Sequence, residues 1–385
     1  MIGKEDSIMT HEEILKYAQE HRTEAEELLQ ELGKIPAPSH REDLRAAFCR
    51  DWFSANTCAD VSIDSAKNVV CRYIVDPAKD TAVVMAHTDV VFEDTEPLPM
   101  RREGNILHAP GIGDDTANLV NLMIASKVIS DNRDRLKKNL IIVANACEEG
   151  LGNLDGAKQI FADYGEKVTE FISLDGYLGG LTNRPVGSHR YRITVKTQGG
   201  HSYGDFGRDN AIEIAARVIE QLYAIVLPDE KKTTCNVGTI TGGSTVNSIA
   251  QECSMLYEYR SESQNCLQYM QEKVNDVLTG FRAEGKDVTA EILGIRPGMG
   301  AVDMDALEAY SQKNEAIIRE FYDGRISVGA GSTDANVPLS LGITANTIGT
   351  ITGKGAHTRE EWVDLDSIPC GMSIALRLLC EYLED

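Results

Sequence analysis

No stretch of the 385 residues approaches the roughly 18 consecutive apolar positions that a membrane-spanning helix needs. The opening MIGKEDSIMTHEEI has no apolar core of the kind a secretory signal carries. Both absences point to a cytoplasmic protein with no membrane partner. The nine cysteines (Cys49, Cys58, Cys71, Cys147, Cys235, Cys253, Cys266, Cys370 and Cys380) are odd in number and include no CxxC pair, so free, largely buried thiols are expected rather than a disulfide framework. Positive charge is also scarce. With 38 Lys and Arg against 60 Asp and Glu, the net charge of -22 would repel a phosphate backbone, which excludes nucleic acid as a partner. There is no internal repeat and no low-complexity tract.

What is present fits an ordinary globular enzyme, with 42% hydrophobic and 25% charged residues. The length suits two domains. Residues 10 to 32 carry Ile14, Leu15, Ala18, Leu28, Leu29 and Leu32 on one stripe behind a Thr10 cap, predicting an amphipathic helix that Gly33 and the Pro36/Pro38 pair terminate. A second helix is expected from about Glu42 to Phe53. Four apolar runs without strict alternation, Ala82 to Ala86, Leu140 to Ala144, Phe171 to Leu174 and Thr344 to Ile348, read as buried parallel strands, and helical stretches separate the first three. The fold class is therefore α/β with a mostly parallel sheet.

Residues 187 to 297 follow another rhythm: strand (190 to 197), helix (209 to 225), strands (235 to 242 and 251 to 260), helix (265 to 284), strand (287 to 295). This βαββαβ order is the ferredoxin-like unit, compact enough to be inserted whole, with Gly187 and Pro297-Gly298 as hinges. Residues 1–186 and 298–385 would then form one discontinuous domain around it.

Polar residues collect immediately after the predicted parallel strands, where open α/β sheets place their ligand crevice. TAVVMA runs into His87-Thr88-Asp89, whose i, i+2 spacing puts both side chains on one face of an extended segment. Gly111-Ile112-Gly113-Asp114-Asp115 opens a helix. LIIVANA leads to Cys147-Glu148-Glu149, an awkward place for two like charges without a cation. FISL delivers Asp175, and the Gly353 to Thr358 turn offers His357. Taken singly, each histidine is a hydrogen-bonded or surface residue and each Asp a helix cap. Together, two imidazoles and several carboxylates at one sheet edge match the mixed nitrogen and oxygen shell that zinc accepts, in numbers sufficient for two ions, with spare carboxylates available as a base.

The stretches AHTDVV, GIGDDTAN, ACEEG, SLDG, GGHSYGDFGRDNAI, GAGSTDANVPL and GAHTREEW resemble, in family order, the dinuclear zinc aminoacylase and carboxypeptidase family that includes peptidase T, glutamate carboxypeptidase and acetylornithine deacetylase. The resemblance implies two zinc ions, with cobalt or manganese as substitutes: His87 and Asp175 on one, Glu149 and His357 on the other, and Asp114 bridging. It implies Glu148 as general base and later acid, with Asp89 orienting His87. The insertion becomes a lid and homodimer interface whose His201 reaches a neighbouring site to stabilise the oxyanion. Asn247 and Arg260 would contact substrate, as would the loop bearing Ser332, Thr333 and Asp334. The sequence departs from the family pattern at Ala250 and Glu258, beside the lid residues Asn247 and Arg260.

The implied reaction is amide hydrolysis in a small peptide, with a lean toward the peptidase T-like branch over di/tripeptidase or carboxypeptidase activity. Deacylation of an N-acyl amino acid is the alternative. Two rivals differ in class. A two-metal phosphatase or nuclease is disfavoured by the acidic chain, and a non-catalytic metal-binding protein by the retained Glu148.

Overall fold

A computed structural model describes residues 9–384; the opening MIGKEDSI, part of the stretch read for a secretory signal, lies outside them. The chain divides into two compact units, one formed by the segments up to Arg184 and from Ala301 onward, the other by Pro185–Gly300.

The first unit is built on an eight-stranded sheet in the order Asp60–Ile63, Val69–Tyr73, Asn139–Asn145, Thr81–His87, Val168–Leu178, Thr344–Gly349, Gly180–Pro185, Ser327–Gly331. Its centre is parallel. Thr81–His87 pairs in parallel with both Asn139–Asn145 and Val168–Leu178, and the latter pairs in parallel with Thr344–Gly349. These are the four apolar runs, and Thr81–His87 and Asn139–Asn145 are buried at every position because layers cover both faces. The antiparallel flank Asp60–Ile63 and Val69–Tyr73 was not expected from sequence. Helices Ala117–Asp131 and Ile368–Cys380 pack against each other, and the former also packs on Thr81–His87 and Val168–Leu178.

The N-terminal stripe forms two helices rather than one, His11–Glu20 and Arg22–Leu32. Thr10 and Glu13 close a capping box, while His21 leaves helical geometry as its ring Nδ1 meets the Tyr17 carbonyl at 2.9 Å. The same carbonyl also accepts the His21 backbone N–H at 3.0 Å, so it is shared at the break between the helices. Leu15, placed on the apolar stripe, is 42% exposed, so the buried face is narrower than expected. A small antiparallel sheet, Gly353–Lys354, Trp362–Asp364, Ile106–His108, Arg101–Glu103, ties the C-terminal turn to the segment preceding Asp114.

The second unit is a four-stranded antiparallel sheet ordered Thr233–Gly242, Glu252–Ser261, Gly187–Lys196, Asp287–Arg296, with helices Ala211–Tyr223 and Gln264–Ala283. In chain order this is the 2-3-1-4 arrangement of the ferredoxin-like unit. Tyr191, Ile193 and Val195 alternate inward to join Ile214, Val218, Met270 and Val274 in one core. Among the described residues, no helix is long and apolar enough to cross a membrane. All nine cysteines are free thiols.

Candidate metal centre

His87 ends its parallel strand fully buried. Its backbone N–H donates to Asp115 Oδ2 at 2.8 Å, and its Nδ1 lies 3.0 Å from the Asp89 carbonyl oxygen and 3.5 Å from Asp89 Oδ1. A carbonyl can only accept, so Nδ1 carries the proton and Nε2 presents its lone pair. That lone pair faces Asp114 Oδ1 at 3.1 Å. Two acceptors opposed at this distance need a positive charge between them, supplied either by a ring proton or by a cation. Burial alone would lower the His87 pKa, but the charges of Asp115, Asp114 and Asp89 drive it well up.

The other oxygen of the same carboxylate, Asp114 Oδ2, lies 3.3 Å from His357 Nε2, which is also 3.2 Å from Glu149 Oε2. Hydrogen bonds to Asp114 and Glu149 raise the His357 pKa to about 10. Asp114 is therefore shared, one oxygen toward each imidazole. Ligand atoms of His87, Asp114 and Asp175 lie within 4.8 Å of one another, as do those of Asp114, Glu149 and His357, and those of His87, Glu148 and Glu149. Burial, and then the Asp114 charge, raises the Asp175 pKa to about 7. Glu149 Oε1 is buried without a hydrogen-bond partner. Two imidazoles, a shared carboxylate and an orphaned carboxylate oxygen fit a pair of divalent cations.

Asp89 is fully buried and does more than face His87. Its two oxygens accept the backbone N–H groups of Glu148 (3.0 Å) and Glu149 (2.9 Å) and the Ser39 hydroxyl (2.6 Å). It thus holds the strand-end turn that presents both glutamates. In the GAGSTDAN loop, Asp334 accepts from the Asn145 side chain at 2.7 Å, while the Thr333 hydroxyl meets Thr347 at 2.7 Å, directing it at the neighbouring strand. Ser332 is half-buried beside it.

In the second unit, the short strand Gly200–His201 pairs with Ser248–Ile249 and leaves His201 exposed. Its Nδ1 accepts the backbone N–H groups of Tyr203 (3.3 Å) and Gly204 (3.2 Å), so the ring proton sits on Nε2. The Asn247 carbonyl accepts the Ser202 N–H at 3.0 Å, which places Asn247 beside His201. Arg260 is not brought to that turn; its guanidinium makes two hydrogen bonds to Glu258, at 2.9 and 3.1 Å.

Several residues escaped sequence reading. Buried Glu361 accepts backbone N–H groups from the Asp114 loop. Glu42 accepts the N–H groups of His40 and Cys147. Arg45, fully buried, donates to the carbonyls of Ile35 and Thr88 and to the Thr116 hydroxyl. Arg45 could have been found as a charge on the apolar face of its helix, with Ala46, Cys49 and Phe53. Glu361 lies within the GAHTREEW stretch, four residues after His357, with no role assigned to it from sequence.

Residues 83–381 match the profile of Peptidase family M20/M25/M40. A putative succinyl-diaminopimelate desuccinylase of Mycobacterium tuberculosis is 26% identical over 295 residues, covering 73% of this chain and 77% of its own. Among solved structures, a tripeptidase from Staphylococcus aureus superposes with a TM-score of 0.74 at 20% identity, covering 94% of this chain and 99% of its own. A dinuclear metal-binding peptidase of the M20 family from Bacillus subtilis gives 0.64 at 14% identity, covering 95% and 100%. The family match spans most of the chain and takes in every residue of the cluster, and the chain therefore belongs to Peptidase family M20/M25/M40 as a metal-dependent peptidase/amidohydrolase.

Proposed function

We propose that the chain is a di-zinc hydrolase that cuts the amide bond of a small peptide. The carrying observation is Asp114, whose two oxygens face two different imidazoles, each with a further carboxylate in reach. His87 and Asp175 would hold one ion, Glu149 and His357 the other. Zinc ions held there would supply Lewis acidity for the amide carbonyl and would lower the pKa of a water molecule. Glu148 takes a proton from that water as its oxygen bonds to the carbonyl carbon, and returns it to the nitrogen as the C–N bond breaks, leaving a carboxylic acid and an amine. His201 carries its proton on Nε2 and is exposed, so it can donate to the developing oxyanion of a neighbouring copy.

Residues 187–297 serve in this reading as lid and dimer interface. The edge strand Thr233–Gly242 supports it, having one sheet neighbour and a largely exposed face. Asn247, Ser332 and Thr333 would line the substrate path, and Arg260 would meet a substrate carboxylate in competition with Glu258. The alternative, deacylation of an N-acyl amino acid, is favoured by the similarity to a protein named as a putative desuccinylase.

A panel of di- and tripeptides beside N-acetyl and N-succinyl amino acids tests both. Protein stripped by chelator should be inactive, and zinc, cobalt or manganese should restore cleavage of peptides. Turnover of the acylated amino acids alone would replace the peptidase reading with the deacylase one. Full activity in the stripped protein would overturn the metal mechanism.

A further inference from the structure

Glu361 is fully buried, yet it belongs to none of the ligand-atom groups found among the described residues. Its carboxylate is committed elsewhere. Oε2 accepts the Gly111 N–H at 2.7 Å; Oε1 accepts the N–H groups of Gly113 (3.0 Å) and Asp114 (2.8 Å) and the Tyr177 hydroxyl (3.2 Å). Three of the four donors are backbone groups of the one loop that presents Asp114. The approach is close enough to require glycine, since a Cβ on Gly113 would lie 2.8 Å from the Tyr177 ring and 3.1 Å from Glu361 Oε1.

The anchor comes from the His357 segment. Glu361 follows His357 by four residues and immediately precedes the strand Trp362–Asp364, which pairs with Ile106–His108 just before the loop. The Ala109 N–H adds a bond to the Glu361 carbonyl at 3.1 Å. One carboxylate thus fixes the backbone of Asp114 relative to the turn that carries His357. These are two residues that would have to share a cation.

We propose that Glu361 is a positioning residue for the metal pair: by gathering the three N–H groups of the Gly111–Asp114 loop it sets the reach of the Asp114 carboxylate between His87 and His357. This rests on the reading of Asp114 as the shared ligand. A seal serving stability alone would leave metal affinity and geometry untouched when weakened, whereas a misplaced bridge alters both.

The test uses full-length protein stripped of metal and titrated with Co2+ alone, by calorimetry and by visible absorption of the bound ion. Wild type should take two equivalents; fewer would refute the shared-ligand reading itself. Given two in the wild type, Glu361→Gln, which puts an amide N–H against loop N–H groups, should weaken one equivalent by about 10 to 100-fold, the usual effect of losing a partner behind a metal ligand. Its cobalt spectrum should change, and kcat should fall with KM within about two-fold. Should that variant fail to fold, Glu361→Asp retains the charge but falls one methylene short, and its cobalt affinity and spectrum decide. Two equivalents bound by a folded variant with wild-type affinity, spectrum and kcat would overturn the proposal.

Discussion

Glu148 and Glu149 are chain neighbours, and both backbone N–H groups end on the same Asp89 carboxylate, while the proposed mechanism gives their side chains different work. Glu149 meets His357, while Glu148 groups with His87 and Glu149 around the side of the cluster. In the proposed mechanism, replacing Glu148 by Gln keeps the size and an acceptor oxygen but removes the base. Turnover should fall roughly 100 to 10,000-fold with metal content unchanged, measured as kcat beside metal analysis of the same sample. Near-normal kcat would remove Glu148 from the role. At this scale the sequence was legible wherever a polar residue directly followed an apolar run, as with His87 and Asp175. It showed Arg45 only as a charge on an apolar helix face and gave Glu361 no role, because most of their partners are main-chain groups, and any residue type in the loop offers the same N–H or carbonyl. Glu361 and Gly111 lie 250 residues apart, so no local pattern joins them.

Strand Gly187–Lys196 carries a titratable group on its helix-facing side. His189 is buried, with Nδ1 at 2.7 Å from the Tyr259 hydroxyl, and burial lowers its pKa to about 4. In the unfolded chain the value is about 6.5. Between those values the unfolded state holds a proton that the folded state does not, so stability rises with pH there. The contribution is complete above about pH 6.5 and is lost as pH falls toward 4. His189→Phe removes the titration and leaves Tyr259 its contact with the Tyr191 hydroxyl. Urea midpoints of wild type should therefore drop more between pH 7 and pH 5 than those of the variant, and parallel pH profiles would refute the assignment. Element type was readable from periodicity throughout this unit. The paired strands Gly200–His201 and Ser248–Ile249 were not, being too short to show a period, although they position His201 and Asn247.

For the molecule as a whole, the lid reading requires a second copy. Strand Thr233–Gly242 has one sheet neighbour, Ile240 is 49% exposed, and Tyr203 and Phe206 beside His201 are about 90% exposed. An edge with free backbone groups and apolar side chains is a template for pairing. Sedimentation at micromolar concentration should give twice the chain mass, and a monomer that retains full activity would exclude the cross-subunit role of His201.

The amino-acid sequence by itself determined the α/β class, the four central strands and the inserted βαββαβ unit, because hydrophobic periodicity is a local property, and it offered candidate metal-binding residues at the strand ends. Asp114 as a bridge was implied only by family resemblance; tertiary structure decided its approach to both imidazoles and that Glu361 and Asp89 hold the loops presenting these ligands. Those relations depend on where the segments from His87 to His357 meet at one sheet edge, and a distance in space between residues far apart in the chain has no local signature.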